Sequence, residues 1–439
     1  MPSNTTTESS QAATRAQCRR PYDSAVFSSV TPSRAALAIA IVVAVAFGLA
    51  APAAELPDSS TYLGAARAWA RGEGLMEAPG QPLQYRLPLY PLALGIVIRF
   101  FGDSLRAMAL ANVAFHVAAM LLARAIVARH DRTVADWACA LALVYPPFLA
   151  ATATVLQETL LSLTVALFAW ALTRASDSAR VLPAFGAGAA LGLATLGKVV
   201  ALPLALPAAV LVAFVPRRSP ARAAALLLGT AVVLMPWAVR NRRVLGRLEV
   251  TNNNGGHTLF GGTVSNEIAD WYGFPEYRSA VERWRSLGPE TQPVLDRYLY
   301  AAAVERIEAD PARWLRLVGA RVLRFMLPSR QWMVAVGWST PGTVTPWFVA
   351  GALLQVSLFA ATALLAWTVW RTGPPWAMSI GPVIVFWHLS VYAVAYVSPR
   401  YNITVGPLLM SSTALLLMAR RSSARASIET RGGPRAPDR

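Results

Sequence analysis

The chain has 439 residues, of which 55% are hydrophobic and only 14% charged, with a formal net charge of +17. Soluble domains carry about 25% charged residues, and no soluble core hides this much apolar surface, so the composition excludes an ordinary soluble protein and points to a polytopic membrane protein. In a soluble chain +17 would suggest nucleic acid; here the arginines sit in short loops and tails between apolar runs, as positive-inside topology requires, and no nucleic-acid partner is expected.

Residues 1–33 are rich in Ser, Thr, Ala and Arg without periodicity and read as a disordered cytoplasmic tail. Arg15, Arg19, Arg20 and Arg34 precede the apolar run 35–54, which comes late and is long for a signal peptide; it is taken as an uncleaved first span with its basic end inside. The stretch 56–91 has the wrong texture for a plain connection. It opens with Asp58, passes through an amphipathic patch around Tyr62 and closes on Tyr85, Arg86, Pro88, Tyr90 and Pro91. Segment 87–101 is apolar but too short to cross alone and reads as a juxtamembrane or re-entrant helix. Runs 104–128, 135–150, 158–173, 181–196, 199–215 and 223–238 follow as spans, with Arg124, Arg129, Arg132, Arg174, Arg180, Arg217, Arg218 and Arg222 at inner ends.

No span is evident from 240 to about 344. Ten of the 23 acidic residues fall between positions 249 and 310, beside the turn-forming run Asn252-Asn253-Asn254-Gly255-Gly256, and this part reads as a mixed outer loop domain. Near its end, 311–326 sets Trp314, Leu315, Val318, Val322 and Phe325 on one side and Arg313, Arg316 and Arg324 elsewhere, the pattern of an interfacial amphipathic helix. Spans 345–369, 376–397 and 403–419 complete the chain before a basic tail at 420–439. The organisation is thus an all-α polytopic membrane protein: a membrane module over 34–239 with a first outer loop at 55–103, an outer domain over 240–344, and C-terminal spans over 345–419. About ten spans put both termini in the cytoplasm. Every short inner loop is then net positive and the acid-richer segment lies outside.

The residues that could carry chemistry lie at span ends. Asp58 has two readings: an N-cap for a helix over 59–71, or a general base, and the two are compatible. Tyr62 would share its helix face. Arg86 can grip a phosphate with paired donors or snorkel to headgroups. Lys198, on the outer side against the positive-inside bias, asks for an anionic partner, and Glu158 is either that partner or a binding-site group. Arg400, beside Tyr401, is a third lone outer cation. Together Arg86, Lys198 and Arg400 could converge on one lipid phosphate. Asn252, Asn253 and Asn254 read as turn residues first and sugar contacts second. Cys18, Cys139 and the four scattered histidines offer no metal spacing, and no metal or cofactor is expected.

These pieces resemble the GT-C class of polytopic glycosyltransferases, and within it the lipid-linked-sugar transferases that include protein O-mannosyltransferases and lipid A aminoarabinose transferases. The resemblance rests on Pro57-Asp58-Ser59-Ser60-Thr61-Tyr62, Arg86-Leu87-Pro88-Leu89-Tyr90-Pro91, Gln157-Glu158-Thr159-Leu160, Gly192-Leu193-Ala194 before Lys198, Pro236-Trp237-Ala238-Val239-Arg240-Asn241 with Asn254-Gly255-Gly256, and Pro399-Arg400-Tyr401. It implies inverting transfer from a polyprenyl-phosphate-linked sugar on the outer face of a bacterial inner membrane. By the same match Asp58 is the base, Arg86, Lys198 and Arg400 contact the donor phosphate, and the acceptor is a glycolipid, polysaccharide or protein. Two departures stand out: Ser59 follows the acid where many relatives carry Glu, and Leu87-Pro88 replaces Pro-Pro. A secondary transporter or lipid flippase is the alternative, with a non-catalytic scaffold behind it. Transporters show internal repeats and ionisable groups at mid-membrane, neither of which this sequence displays.

Overall fold

The structure, a computed structural model, describes residues 31–265, 273–288, 294–340, 342–373 and 378–431, with side chains to 420. Positions 1–30 of the N-terminal tail, with Arg15, Cys18, Arg19 and Arg20, lie outside the described residues, as do 432–439. The elements in order are α1 (Pro32–Ala50), α2 (Ser59–Ala70), a hairpin of β1 (Met76–Ala78) and β2 (Gln81–Pro82), α3 (Leu89–Phe101), α4 (Leu105–Val127), α5 (Arg132–Leu143), α6 (Pro146–Thr152), α7 (Glu158–Ser176) and α8 (Val181–Gly197). A 3-10 turn (Val199–Leu204) then leads into α9 (Ala205–Phe214), α10 (Pro220–Leu245), α11 (Gly255–Val264), α12 (Pro275–Arg285), α13 (Leu295–Ala309), α14 (Pro311–Phe325), α15 (Arg330–Ala335), α16 (Pro346–Thr372) and α17 (Ile380–Val394). A second 3-10 stretch (Pro399–Val405) runs into α18 (Gly406–Arg431).

Among the described residues six helices are long and apolar enough to cross a membrane: α1, α4, α7, α10, α16 and the run Pro399–Arg420. A seventh crossing forms if α5 and α6 count as one, and these bend by 60° at their break. Tyr145-Pro146-Pro147 explains the bend, because proline withholds an N–H and disfavours helix in the residue before it. The other segments read as spans, 181–196, 199–215 and 376–397, are shorter apolar helices, as is α3. The chain is an all-α polytopic membrane protein by composition and helix length.

The main core joins α7, α8, α9, α10, α17 and the start of α18 around Phe168, Leu191, Leu226, Val385 and Leu408. Lipid is as apolar as these side chains, so close backbone approach must hold the helices together. A Cβ added at Gly188 would lie 1.9 Å from the Leu226 carbonyl oxygen, and one at Gly229 would lie 2.2 Å from that of Phe185. Gly188→Leu is therefore expected to part α8 from α10 and lower the yield of monodisperse protein in detergent severalfold. Gly186→Leu, whose Cβ meets open space, should leave the size-exclusion profile unchanged.

Two arginines are buried within the helical packing. Arg222, read as a loop cation, is fully buried and donates to the carbonyls of Val215 and Ala175. Arg321, on the helix read as interfacial, is 1% exposed and donates to the carbonyls of Ala393, Val394 and Gly262. The apolar side of α14 is otherwise the packed one: Phe325 is buried and Trp314, Val318 and Val322 are half-buried, while Leu315 is 61% exposed. Where 240–344 was to be mixed, the described part is helical, with α11, α12 and α13 closing on Phe260, Tyr277 and Leu299.

Candidate active site

Asp58 occupies the position before α2, in helical backbone geometry, and its side chain caps nothing. The cap reading therefore fails, for a local reason: the turn is already fixed by Ser59, whose Oγ accepts from Leu56 N and donates to Val155 O. The Asp58 carboxylate is free to turn inward, where two guanidiniums meet it. Arg86 Nη2 donates to Oδ1 at 2.7 Å and Arg400 Nη2 to Oδ2. Burial alone would push the carboxyl up, but the Arg400 and Arg86 charges outweigh it and hold the group at about 2, against an ordinary 3.8. Because the folded value is depressed, the stability this pairing contributes is complete above 3.8 and is lost as pH falls through about 2.

Arg86 comes from the segment between β2 and α3. Its Nε donates to Thr61 Oγ1 at 3.1 Å, and its guanidinium lies 4.8 Å from the Tyr62 ring centre and 5.1 Å from that of Tyr85. Such faces hold a cation without neutralising it. Tyr62 is 2% exposed and sets its ring edge against Tyr90, which fixes the wall under Arg86. Arg400 enters from the 3-10 stretch before α18 and bridges two acids, since its Nε also lies 3.3 Å from Glu158 Oε1. Glu158, the first residue of α7, is 3% exposed, and its Oε2 is buried without a partner among the described residues.

Lys198 ends α8 in extended backbone geometry. Of the two readings of Glu158, partner of Lys198 or binding-site group, the first is not met: among the described residues Arg400 takes Glu158, while the ammonium faces the rings of Tyr401 at 3.4 Å and Tyr392 at 4.8 Å. All five sequence-predicted charged residues thus gather at the helix ends, and three cations against two carboxylates leave one positive charge in excess. Tyr62, Tyr85 and Tyr401 line the same place. Tyr392 is a member that the sequence reading missed; the available signal was its position four residues after His388 in an otherwise apolar helix.

Chemically, the cluster offers donors aimed at one region, aromatic walls and a carboxylate at its edge. A phosphate oxygen set between Arg86, Arg400 and Lys198 would meet charge-assisted hydrogen bonds, and the Asp58 contacts are the ones it would displace.

Three solved structures are similar at low identity. ArnT from Cupriavidus metallidurans in the apo state aligns at TM-score 0.45 and 16% identity, covering 90% of this chain and 61% of that one. AglB from Archaeoglobus fulgidus, in complex with an inhibitory peptide and a dolichol-phosphate, aligns at 0.43 and 13%, covering 92% and 52%. ArnT from Cupriavidus metallidurans bound to undecaprenyl phosphate aligns at 0.39 and 15%, covering 90% and 78%. The chain thus spans less than two thirds of the length of the first two, and scores this low do not establish a shared fold. No curated protein matches the chain in sequence. The family model of dolichyl-phosphate-mannose-protein mannosyltransferases matches residues 81–239, which contain Arg86, Glu158 and Lys198 but neither Asp58 nor Arg400. Over residues 81–239, then, the chain carries the dolichyl-phosphate-mannose-protein mannosyltransferase pattern, and the likeness to GT-C glycosyltransferases read from its sequence holds there.

Proposed function

We propose that this protein is a membrane glycosyltransferase that moves a sugar from a polyprenyl-phosphate donor to an acceptor in the cell envelope. The observation that carries the proposal is the meeting of Arg86 and Arg400 on Asp58, with Lys198 close by, at the ends of helices built for a membrane. Lipid-borne phosphate is the anion that reaches such a place. Its charge would draw the guanidiniums off Asp58, leaving the carboxylate beside the anomeric carbon with its proton-accepting oxygens free. The acceptor hydroxyl then attacks that carbon from the face opposite the phosphate, and the configuration inverts. Its proton passes to Asp58 as the new C–O bond forms, while the bond to the phosphate oxygen breaks and the electron pair leaves with the phosphate. Arg86, Lys198 and Arg400 stabilise the charge that develops there. Tyr62, Tyr85, Glu158 and Tyr401 border the space for the sugar.

The topology that fits is ten crossings: the six long helices, the bent α5–α6 pair, α8, the 3-10–α9 run and α17. Both termini are then cytoplasmic, and the site opens on the outer face of an inner membrane. The charges lie at helix ends rather than mid-span, which favours chemistry over alternating access by a transporter. Mass spectrometry of envelope glycolipids and glycoproteins tests the proposal. Cells with the wild-type chain should contain a glycosylated species that cells with Asp58→Asn lack, and the latter should accumulate prenyl-phosphate sugar. Identical profiles would overturn it.

A further inference from the structure

The three residues before Arg86 belong to no helix or strand, yet all six of their backbone polar groups are held. Leu83 N donates to Leu75 O at 2.9 Å, and Leu83 O accepts from Arg240 Nη1 at 2.6 Å. One carboxylate oxygen of Glu77 accepts from both Gln84 N, at 2.9 Å, and Tyr85 N. Gln84 O accepts from Asn253 N at 3.0 Å, and Tyr85 O accepts from Asn252 Nδ2 at 2.8 Å. Asn253 Nδ2 also reaches Gln84 Oε1 at 3.0 Å, and Arg240 Nη2 reaches Leu75 O at 3.0 Å.

The partners come from three places in the chain: the β1–β2 hairpin, the end of α10 and the loop that runs into α11. Buried or half-buried backbone groups must be satisfied somewhere, and regular structure ordinarily does it. Here the side chains of Glu77, Arg240 and Asn252 hold four of the six groups, and the backbone of Leu75 and Asn253 holds the other two. A guanidinium that must meet a carboxylate at 2.7 Å tolerates little movement of its own backbone.

From this juxtaposition we infer that Glu77, Arg240 and Asn252 are positioning residues for the Arg86 guanidinium, clamping its segment between the hairpin and the outer helices. Asn252 holds the Tyr85 carbonyl through its side chain, and Asn253 holds the Gln84 carbonyl through its backbone N–H. Asn254 stands before α11, and Gly256 N in that helix donates to Asp296 Oδ1 of α13 at 2.8 Å, so the clamp is continuous with the outer helical layer. The inference rests on the donor-clamp reading of Arg86 given above.

The test uses the full chain in lipid nanodiscs, with Glu77→Ala and Asn252→Ala as independent variants in case one fails to fold. Hydrogen exchange at the Gln84 and Tyr85 amides should accelerate in Glu77→Ala by about tenfold or more, with a smaller rise in Asn252→Ala. Binding of a polyprenyl monophosphate alone should weaken about tenfold in each, and neither substitution should cost anything further in an Arg86→Ala background. Unchanged exchange overturns the clamp. A binding loss of equal size in the Arg86→Ala background overturns positioning through Arg86 and assigns these residues to general support. If Arg86→Ala itself binds prenyl phosphate like the wild type, the donor-clamp reading fails, while the exchange result still reports on the clamp by itself.

Discussion

Replacing Asp58 with asparagine is expected to cut sugar transfer by about a thousandfold while tightening the hold on prenyl phosphate. The first effect follows from losing the proton acceptor while keeping its shape. The second follows from the resting geometry, in which Arg86 and Arg400 are both spent on Asp58 and an incoming phosphate must compete with that carboxylate. Asparagine is neutral, so the competition vanishes and both guanidiniums become available. A merely structural Asp58 would predict the opposite on binding, because removing it would loosen the arginines. Steady-state transfer assays paired with equilibrium binding of a polyprenyl monophosphate separate the two, and wild-type turnover by the variant would remove Asp58 from the mechanism.

Arg400→Ala is expected to act on the fold as well as on the site, destabilising the protein by about 3–5 kcal/mol. Arg400 is the only cation paired with Glu158 among the described residues, and the Glu158 side chain is 3% exposed, so deleting the guanidinium strands a buried carboxylate. Adding Glu158→Gln should restore most of the loss, because the stranded charge is then gone. Thermal unfolding in detergent, followed by tryptophan fluorescence, reads both variants. Arg86→Ala makes a useful contrast. Its partner Asp58 is 31% exposed at the side chain and keeps Arg400, so the melting temperature should move far less while prenyl-phosphate affinity falls. An Arg400→Ala protein that melts like the wild type would refute the bridging role.

Much of this was legible in the sequence, for reasons that can be traced to particular residues. Long apolar runs announce helices, and α4, α7, α10 and α16 lie where hydropathy puts them. Arg86, Lys198 and Arg400 stood out because the sequence reading puts them at span ends against the positive-inside bias, and Asp58 because it is a lone acid just past the first apolar run. Their pairing was another matter. Spacing favours Asp58 as a helix cap, and nothing local reveals that Arg400, 342 residues away, would take one of its oxygens. Likewise Glu158 and Lys198 suggest each other as lone opposite charges, but Arg400 reaches the acid first and tyrosine rings receive the ammonium. Arg222 looks like an inner-end loop cation in sequence, since charge alone does not distinguish a headgroup partner from a buried carbonyl. Asn252 and Asn253 have the chemistry of a turn, and only their docking against Gln84 and Tyr85 gives them a second role.

We propose that Arg86, Lys198 and Arg400 form one receptor for a lipid-borne phosphate. Native mass spectrometry of the purified chain with polyprenyl monophosphate and excess phosphatidylglycerol measures this directly. One prenyl phosphate should stay on each wild-type chain through collisional activation that strips phosphatidylglycerol, and Arg86→Ala/Lys198→Ala should not retain it. Equal retention of prenyl phosphate by both proteins, or of both lipids by the wild type, would contradict the claim.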